Sequence, residues 1–351
     1  MVRAQASLPA FGLAVGLAAV ALPFVALSEW VYLCSLLAIN AISALGLNII
    51  TGYTGLLSLG HGAFMGVGAY ATGYFATRFG LPFYAAIPLG GVAATVLGIG
   101  FGLPSLRIRG LYLVIATLAA QFILNWVFSN WTDVTGGLNG LKLQPAAAFG
   151  FVLDTDARLY FMCLAPAVLL TVFAANLFRT RVGRAFIAIR ERDHTAEVLG
   201  ISLVRYKLTA FALGSFYAGI AGGLMAYFFR IVTPGQYQLD VSVFFLAAVV
   251  VGGTGSIAGS LLGAAFMTLL PEMLRLLLDV AGQFMTMRAA LVLVPLREAV
   301  FGLLLIIFLI FEPRGLVRLC RRAWRASCVR HEAKTGPSRP GQTGLNLEGR
   351  P

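Results

Sequence analysis

Long apolar runs alternate with short polar segments along most of the chain. A run of about 20 predominantly apolar residues is long enough to cross a membrane as an α-helix. We therefore predict about eight full transmembrane helices, at residues 8–27, 31–50, 52–73, 82–103, 111–130, 160–178, 208–229 and 299–311. The pattern predicts an all-α polytopic membrane protein. The content of charged residues, only 11%, agrees, because soluble domains carry about 25%.

The run from Gly52 to Gly73 contains far more glycine than a membrane helix needs, and it reads GYTGLLSLGHGAFMGVGAYATG. Small residues allow helices to pack closely, and glycine also permits a helix to break where it borders a cavity. Two interpretations therefore stand: tight helix packing, and a discontinuous segment beside a transport path. His61 lies in the middle of the run.

Basic residues are concentrated in a few segments. Of the 26 Lys and Arg, two are Arg107 and Arg109, seven lie at 179–207 and nine at 314–350. Because basic loops stay on the cytoplasmic side, we predict cytoplasmic N- and C-termini, a cytoplasmic loop at 179–207 and a periplasmic segment at 132–158. The clusters flank apolar spans, which indicates membrane topology and no binding of nucleic acid.

The chain divides into a transmembrane domain, residues 1–316, and a basic tail, residues 317–351. The tail is rich in Arg, Pro and Gly, so we expect it to be disordered and attracted to anionic membrane lipid.

A second glycine-rich sequence, VGGTGSIAGS at 251–260, interrupts the apolar run 242–270. A single crossing here would put the basic tail outside, against the positive-inside rule. A crossing by 279–296 would instead bury Arg288 in the membrane, which is costly. We therefore predict a glycine-broken, re-entrant segment or hairpin. Irregular backbone at membrane depth needs surrounding protein or a water-filled cavity, so Gly252–Gly259 is a second candidate for the transport path.

The loop at 179–207 combines good helix formers with mixed charge and an apolar face. Gly183 and Gly200 are expected to mark helix ends, and Arg190 and Asp193 are spaced to pair across one turn. One interpretation is a solvated loop with basic anchors. The other is a docking helix for a cytoplasmic partner.

Several kinds of chemistry are missing from the sequence. No G-x-x-x-x-G-K-[ST] pattern occurs, so the chain has no P-loop of its own. The four cysteines lack metal-ligand spacing, and no nucleophile and base pair is apparent. No predicted span carries Asp or Glu near its centre, where ion-coupled carriers keep titratable groups. We expect a protein that is not an enzyme and has no metal or cofactor of its own, with His61 as a satisfied buried histidine.

Five blocks of residues occur in order along the chain. The first is Gly52-Tyr53-x-Gly55-x-x-Ser58-x-Gly60 with Ala63-Phe64 and Gly66-x-Gly68-Ala69-Tyr70, the second is Arg107-x-Arg109-Gly110-x-Tyr112, and the third is Thr135-Gly136-Gly137 with Gly140-Leu141. The fourth is Gly183-Arg184-Ala185 with Ala188-Ile189-Arg190-Glu191 and Ala196-Glu197-x-Leu199-Gly200-Ile201, and the fifth is Gly252-Gly253-x-Gly255-Ser256-x-x-Gly259, followed later by Phe311-x-Pro313-Arg314-Gly315-Leu316. With these blocks the chain resembles, over about residues 39–316, the permease subunits of branched-chain amino-acid ABC transporters of the LivM type.

The resemblance implies three groups of functional residues. Candidates for the translocation path are Gly52, Tyr53, Gly55, Ser58, Gly60, His61, Phe64, Gly252, Gly253, Gly255 and Ser256. Candidates for coupling to an ATPase are Gly183, Arg184, Arg190, Glu191, Glu197 and Gly200. The periplasmic turn comprises Thr135, Gly136, Gly137 and Gly140.

The resemblance also implies partners and a location. These are a second homologous permease subunit, two cytoplasmic ATPase subunits that use ATP and Mg, and a periplasmic substrate-binding protein, in a bacterial inner membrane. Other functions remain open at this point: import of urea, short amides or another small solute, an ion-gradient-driven carrier, and a passive channel.

Overall fold

The computed structural model describes residues 28–103, 110–148, 151–153, 155–282, 299–303, 306–307, 310 and 315–317. Within these ranges the helices are α1 Ser28–Asn48, α2 His61–Phe79, α3 Phe83–Gly102, α4 Leu111–Asn130, α5 Thr132–Thr135, α6 Asp156–Leu177, α7 Arg181–Glu191, α8 Asp193–Val198, α9 Leu203–Phe229, α10 Leu239–Gly252 and α11 Ile257–Gly282. The all-α polytopic fold is confirmed.

Seven stretches of the described residues are long and apolar enough to cross a membrane. They are Ser28–Tyr53, Phe83–Gly102, Tyr112–Asn130, Asp156–Leu177, Leu203–Phe229, Pro234–Gly252 and Ile257–Leu276. The predicted span at 8–27 and the tail at 317–351 lie outside the described residues, except Val317, and the span at 299–311 is described only at residues 299–303, 306–307 and 310.

The glycine-rich run does not form the single helix that we predicted at 52–73. The helix α1 ends in one π-helical turn, Ile49–Tyr53, residues 54–60 are not helical, and α2 begins only at His61. Single π-turns of this kind occur frequently at functional sites. The N-terminal half of the run is therefore a break between two helices.

The C-terminal half of the run follows the other interpretation, close helix packing. A Cβ at Gly68 would collide with the backbone of Gly219, and one at Gly222 would collide with Met65. These contacts pack α2 against α9, and α3 packs against both of these helices. As a result, α2 is buried over most of its length. Glycine allows the backbones to approach this closely because it has no side chain.

The second glycine-rich sequence forms the turn of a hairpin between α10 and α11. The turn covers residues 253–256, and Gly253 and Gly255 have φ values of +116° and +76°. Each arm belongs to a stretch that is long enough to cross the membrane, so the broken hairpin fits better than a re-entrant loop. Glu272 lies in α11 toward the end of the apolar stretch Ile257–Leu276 and pairs with Arg275 at 2.9 Å.

The segment at 132–158 carries short elements. The 3₁₀ turn Gly137–Asn139 is followed by strands β1 Leu141–Lys142, β2 Ala147–Ala148 and β3 Phe151–Val152. Strand β1 pairs antiparallel with β4, Ile231–Val232, and β2 pairs with β3. A second 3₁₀ turn, Pro234–Tyr237, leads from β4 into α10.

Candidate functional site

The two glycine-rich breaks touch each other, and Asn48 joins them. Its side-chain Oδ1 accepts a hydrogen bond from the backbone N–H of Gly255 at 2.9 Å. Its Nδ2 donates to the carbonyl of Ser256 at 3.0 Å and to Ser260 Oγ at 2.6 Å. Asn48 is completely buried, and burying an amide is favourable only when it is hydrogen-bonded. One side chain therefore ties the end of α1 to the turn between α10 and α11.

Glycine is required where the two breaks meet. A Cβ on Gly52 would lie 2.5 Å from the backbone nitrogen of Gly255, and one on Gly255 would lie 3.0 Å from the carbonyl oxygen of Gly52. Gly55 and Gly255 also have φ values of +72° and +76°, in the region that side chains disfavour. The two breaks consequently form one contact, and we call this contact the break junction: Asn48, Gly52, Gly55, Thr254 and Gly255.

Arg190 extends the break junction to the 179–207 segment. Its Nη2 donates to Thr254 Oγ1 at 3.2 Å, and its Cβ and Cγ lie 3.8 and 3.4 Å from the position of a Cβ at Gly55. The predicted pairing of Arg190 with Asp193 is wrong, since helix α7 ends at Glu191 and Asp193 instead pairs with Lys207 at 4.0 Å. Arg190 is exposed, and its side chain contacts both breaks.

The beginning of α7 is held to the first break by an aromatic contact. Tyr53, in the π-turn, stacks on Phe178 with a centroid distance of 3.5 Å and an angle of 11°. Gly183 lies inside α7, in its first turn. A Cβ at Gly183 would collide with the backbone of Phe178, so glycine allows the chain to turn tightly here. Only Gly200, with φ +83° after α8, marks a helix end as predicted.

Much of the surface of the 179–207 segment is exposed. The coupling candidates Arg184, Glu191 and Glu197 lie at the surface, and the Arg184 side chain donates to the carbonyl of Arg179 at 3.2 Å. Apolar side chains are exposed on the same segment: Val198 is 88% exposed, Leu199 76% and Ile187 41%. A cluster of exposed apolar side chains outside the membrane indicates a contact surface for another protein.

A cleft of about 250 Å³ lies between the first break and the end of α7. It is lined by residues 54–57, 189–193, Gly110, Leu113 and Lys207. The cleft has a mixed polar and apolar lining and lies beside the break junction, so movement of α7 relative to the break would change its shape. Within the described residues, no three His, Cys, Asp or Glu side chains lie close enough together to hold a metal ion.

The other path candidates surround the start of α2. His61 is fully buried, and its Nε2 lies 2.9 Å from Ser43 Oγ, midway along α1. The Nδ1 of His61 has no hydrogen-bond partner among the described residues, so this histidine is only half satisfied. The backbone N–H of Gly62 donates to Ser242 Oγ at 2.8 Å, which brings the first turn of α10 against the first turn of α2.

The remaining candidates support this arrangement. Ser58 is buried, Phe64 is in the core, and a Cβ at Gly60 would lie 2.9 Å from the carbonyl oxygen of Thr117. Gly315, near the C-terminal end of the chain, packs closely against the second break. A Cβ at Gly315 would lie 2.6 Å from the Cα of Gly253. Gly252 packs against Gly259, and Ser256 Oγ accepts from the N–H of Gly259 at 3.3 Å.

The turn at 135–140 lies apart from the break junction. Gly136, Gly137 and Gly140 have φ values of +74°, +61° and +73°, as a glycine-rich turn requires. Thr135 Oγ1 donates to the carbonyl of Phe128 at 2.8 Å, at the end of α4 opposite to Gly110. These residues shape the connection after α4 and do not contact the two breaks.

Sequence reasoning missed the polar residues that hold the site together. Asn48 and Gln121 lie inside apolar spans, and Gln121 Oε1 accepts from the N–H of Ala63 at 2.8 Å while its Nε2 donates to the carbonyl of Tyr237 at 2.7 Å. A side-chain amide inside a membrane span is unusual because its desolvation is costly. That signal was available in the sequence and would have selected both residues.

The fold and this site define a polytopic helical membrane protein in which two glycine-broken segments meet under an amphipathic surface helix. The chain belongs to the family described as "Branched-chain amino acid transport system / permease component", whose sequence profile matches residues 30–309. The family consists of transport permeases and not of enzymes, which confirms the coarser prediction.

Individual relatives agree with this family. The chain is 34% identical to the high-affinity branched-chain amino acid transport system permease protein LivM of Escherichia coli, over 86% of this chain and 73% of that protein. It is 27% identical to a probable branched-chain amino acid transport permease protein LivM of Methanocaldococcus jannaschii, over 66% and 67% of the two chains. It is 28% identical to the ribose import permease protein RbsC of Haemophilus influenzae, over 73% and 79%. No solved structure matches the chain.

Proposed function

We propose that this chain is the membrane-spanning permease subunit of an ABC importer for branched-chain amino acids in a bacterial inner membrane. It provides the translocation path together with a second homologous permease subunit. Two cytoplasmic ATPase subunits supply ATP and Mg chemistry, and a periplasmic binding protein delivers the substrate. Family membership and the relatives named for branched-chain amino acid transport support this proposal.

The observation that carries the mechanism is the contact of Arg190 with both breaks. In the proposal, ATP-driven closure of the ATPase subunits moves α7, and Arg190 transmits that movement to Thr254 and to the backbone at Gly55. Asn48 keeps the two breaks together as they move. The translocation cavity between the permease subunits then changes from outward-facing to inward-facing. Broken helices allow this change because their segments can adopt two discrete arrangements, which a continuous helix cannot.

The exposed side of the 179–207 segment provides the docking surface for the ATPase. Val198, Leu199 and Ile187 form its apolar part, and the exposed charges of Arg184, Glu191 and Glu197 form a polar rim. Interfaces between proteins commonly combine an apolar centre with a polar rim. The termini of the chain lie on the same cytoplasmic side in this proposal.

Two measurements test the function. The tagged chain is purified in mild detergent from its own membranes, and copurifying chains are identified by mass spectrometry. We expect a second permease and ATPase subunits, and their consistent absence would contradict the importer. The purified assembly with its binding protein is then reconstituted in proteoliposomes, where we expect leucine uptake that requires internal ATP. Uptake driven by an ion gradient, or flux without ATP, would instead support a carrier or a channel.

A further inference from the structure

A group of buried polar atoms at the contact of α2, α4 and the Pro234–Tyr237 turn has no hydrogen-bond partner among the described residues. These atoms are the hydroxyls of Tyr70 and Tyr237 and the Oδ1 of Asn125. Tyr70 is 4% exposed and Tyr237 is 1% exposed. Buried polar groups in folded proteins are nearly always hydrogen-bonded, and each exception requires an explanation.

The residues of this group lie close together in the fold. The rings of Tyr70 and Tyr237 have a centroid distance of 6.5 Å, and Tyr70 lies 4.8 Å from Phe128. Along α4, Asn125 lies between Gln121, which bonds to the carbonyl of Tyr237, and Phe128. Gln121, Asn125 and Phe128 are spaced to lie on one face of α4, and Gln121 and Phe128 on this face contact Tyr237 and Tyr70.

An apolar cavity of about 380 Å³ adjoins Tyr70 and Phe128. Tyr70 and Phe128 form part of its wall, together with Val67, Leu97, Leu124 and Val127. Ligand sites are typically cavities of about 300–1,000 Å³ with mostly apolar walls and a few convergent polar groups. The volume is sufficient for an aliphatic side chain of four or five carbons.

We propose that Tyr70, Asn125 and Tyr237 bind the primary ammonium group of an aliphatic amino acid, whose side chain occupies the adjoining cavity. This inference rests on the proposed function and specifies where the permease contacts its substrate. Two hydroxyl oxygens and one amide oxygen provide three acceptors for the three N–H donors of an ammonium group. The aromatic rings of Tyr70, Phe128 and Tyr237 also attract a cation.

A carboxylate is a poorer occupant of this group. The tyrosine hydroxyls can donate as well as accept hydrogen bonds, but the faces of the surrounding aromatic rings carry partial negative charge, which disfavours a carboxylate. The aromatic surroundings therefore favour a cationic donor group beside an apolar chain.

The test uses Tyr70→Phe and Tyr237→Phe in the complete, reconstituted complex. If the hydroxyls bind substrate, leucine uptake at subsaturating concentration falls about tenfold or more, because a hydrogen bond to a charged group is lost. The thermal stability of the complex stays the same or rises, since each change removes an unsatisfied buried hydroxyl. Normal uptake by both variants would overturn the inference, whereas lack of ATP-dependent uptake by the wild-type complex would overturn the proposed function itself.

Tyr217→Phe is the matched control. Tyr217 is as deeply buried as the other two tyrosines, but its hydroxyl donates to the carbonyl of Leu170 at 2.7 Å. Its replacement should lower thermal stability and leave the concentration dependence of uptake unchanged. The opposite behaviour of the two kinds of variant separates substrate binding from a structural role.

The ammonium group is tested directly with three probes in saturation-transfer NMR on the purified complex. Leucine and 3-methylbutylamine, which keeps the amine but lacks the carboxylate, should both receive saturation, and the signals should weaken in the two tyrosine variants. The amine-free 4-methylpentanoate should give none. Equal signals from the amine and from the amine-free acid in the wild type would overturn recognition of the ammonium group.

Discussion

At the scale of single residues, the break junction depends on side chains whose hydrogen bonds are complete and on glycines that cannot be replaced without collision. Asn48 makes three hydrogen bonds to the second break from a fully buried position. Gly52, Gly55 and Gly255 supply backbone positions where a side chain would collide or would strain the chain. The hydrogen bonds of Asn48 and the glycine positions are separate physical requirements, and each can be tested by one substitution.

The Asn48→Ala variant should be destabilised by about 1–3 kcal/mol, because the N–H of Gly255, the carbonyl of Ser256 and Ser260 Oγ each lose a hydrogen-bond partner. Thermal unfolding of the purified complex measures this loss, and ATP-dependent uptake should fall with it. Asn40→Ala is a suitable control, since Asn40 also lies in α1 and makes one hydrogen bond, to Thr268 in α11 at 2.9 Å. It should cost about 1 kcal/mol and leave uptake intact; equal loss of uptake in both variants would contradict a special role for the break.

Gly255→Ala should reduce uptake about tenfold, because the new Cβ collides with the guanidinium of Arg190 and displaces it from Thr254. The conformational cost of about 1–2 kcal/mol for a side chain at positive φ is expected as well. Gly110→Ala separates the two effects, since Gly110 has φ +61° but no described residue lies within 4 Å of its Cβ position. If the Gly110 variant loses as much uptake, backbone strain and not the Arg190 contact explains the result.

At the scale of elements, helix α7 has two functional sides. Phe186 and Ile189 bury one side of α7, next to which Arg190 reaches the break junction, while Arg184 and Glu191 on α7 and Val198 and Leu199 at the end of α8 are exposed. A helix that is anchored on one side and open on the other is suited to connect a partner protein with the membrane segments. Thr180 caps the start of this helix by accepting from the N–H of Val182, and the Tyr53–Phe178 stack joins the residues just before it to the first break.

Leu199→Asp should prevent copurification of the ATPase subunits while leaving the permease folded. Leu199 is 76% exposed, and substitutions at such positions usually change the free energy of unfolding by less than about 0.5 kcal/mol. Leu138→Asp is the control, because Leu138 is 80% exposed but lies in the 132–158 segment away from α7. Retention of the ATPase by the Leu199 variant would contradict docking on this surface.

At the scale of the whole molecule, the transport cycle in our proposal requires α7 to move relative to the first break. The Cβ of Arg190 lies 3.8 Å from the Cβ position of Gly55, a distance that a disulfide spans without distortion. This pair therefore allows the movement to be blocked in a reversible way.

A Gly55→Cys, Arg190→Cys double variant, with the four native cysteines replaced by alanine, should take up much less leucine when oxidised than when reduced. The quantity to compare is the ratio of uptake before and after reduction of the same sample, which cancels the effect of losing Arg190. The Gly55→Cys single variant should give a ratio of one. A ratio of one in the double variant, with the cross-link verified by mass spectrometry, would show that the cycle proceeds without this movement.

The sequence by itself determined the membrane class, most helix positions and the locations of both breaks, because these depend on local hydrophobicity and on glycine. Only the tertiary structure decided that the breaks meet, that Arg190 turns toward Thr254 and that α2 begins at His61. Those outcomes depend on contacts between residues far apart in the chain, such as Asn48 with Gly255 and Gly68 with Gly219. Local patterns specify which residues are able to make such contacts, and packing of the helices selects the partners.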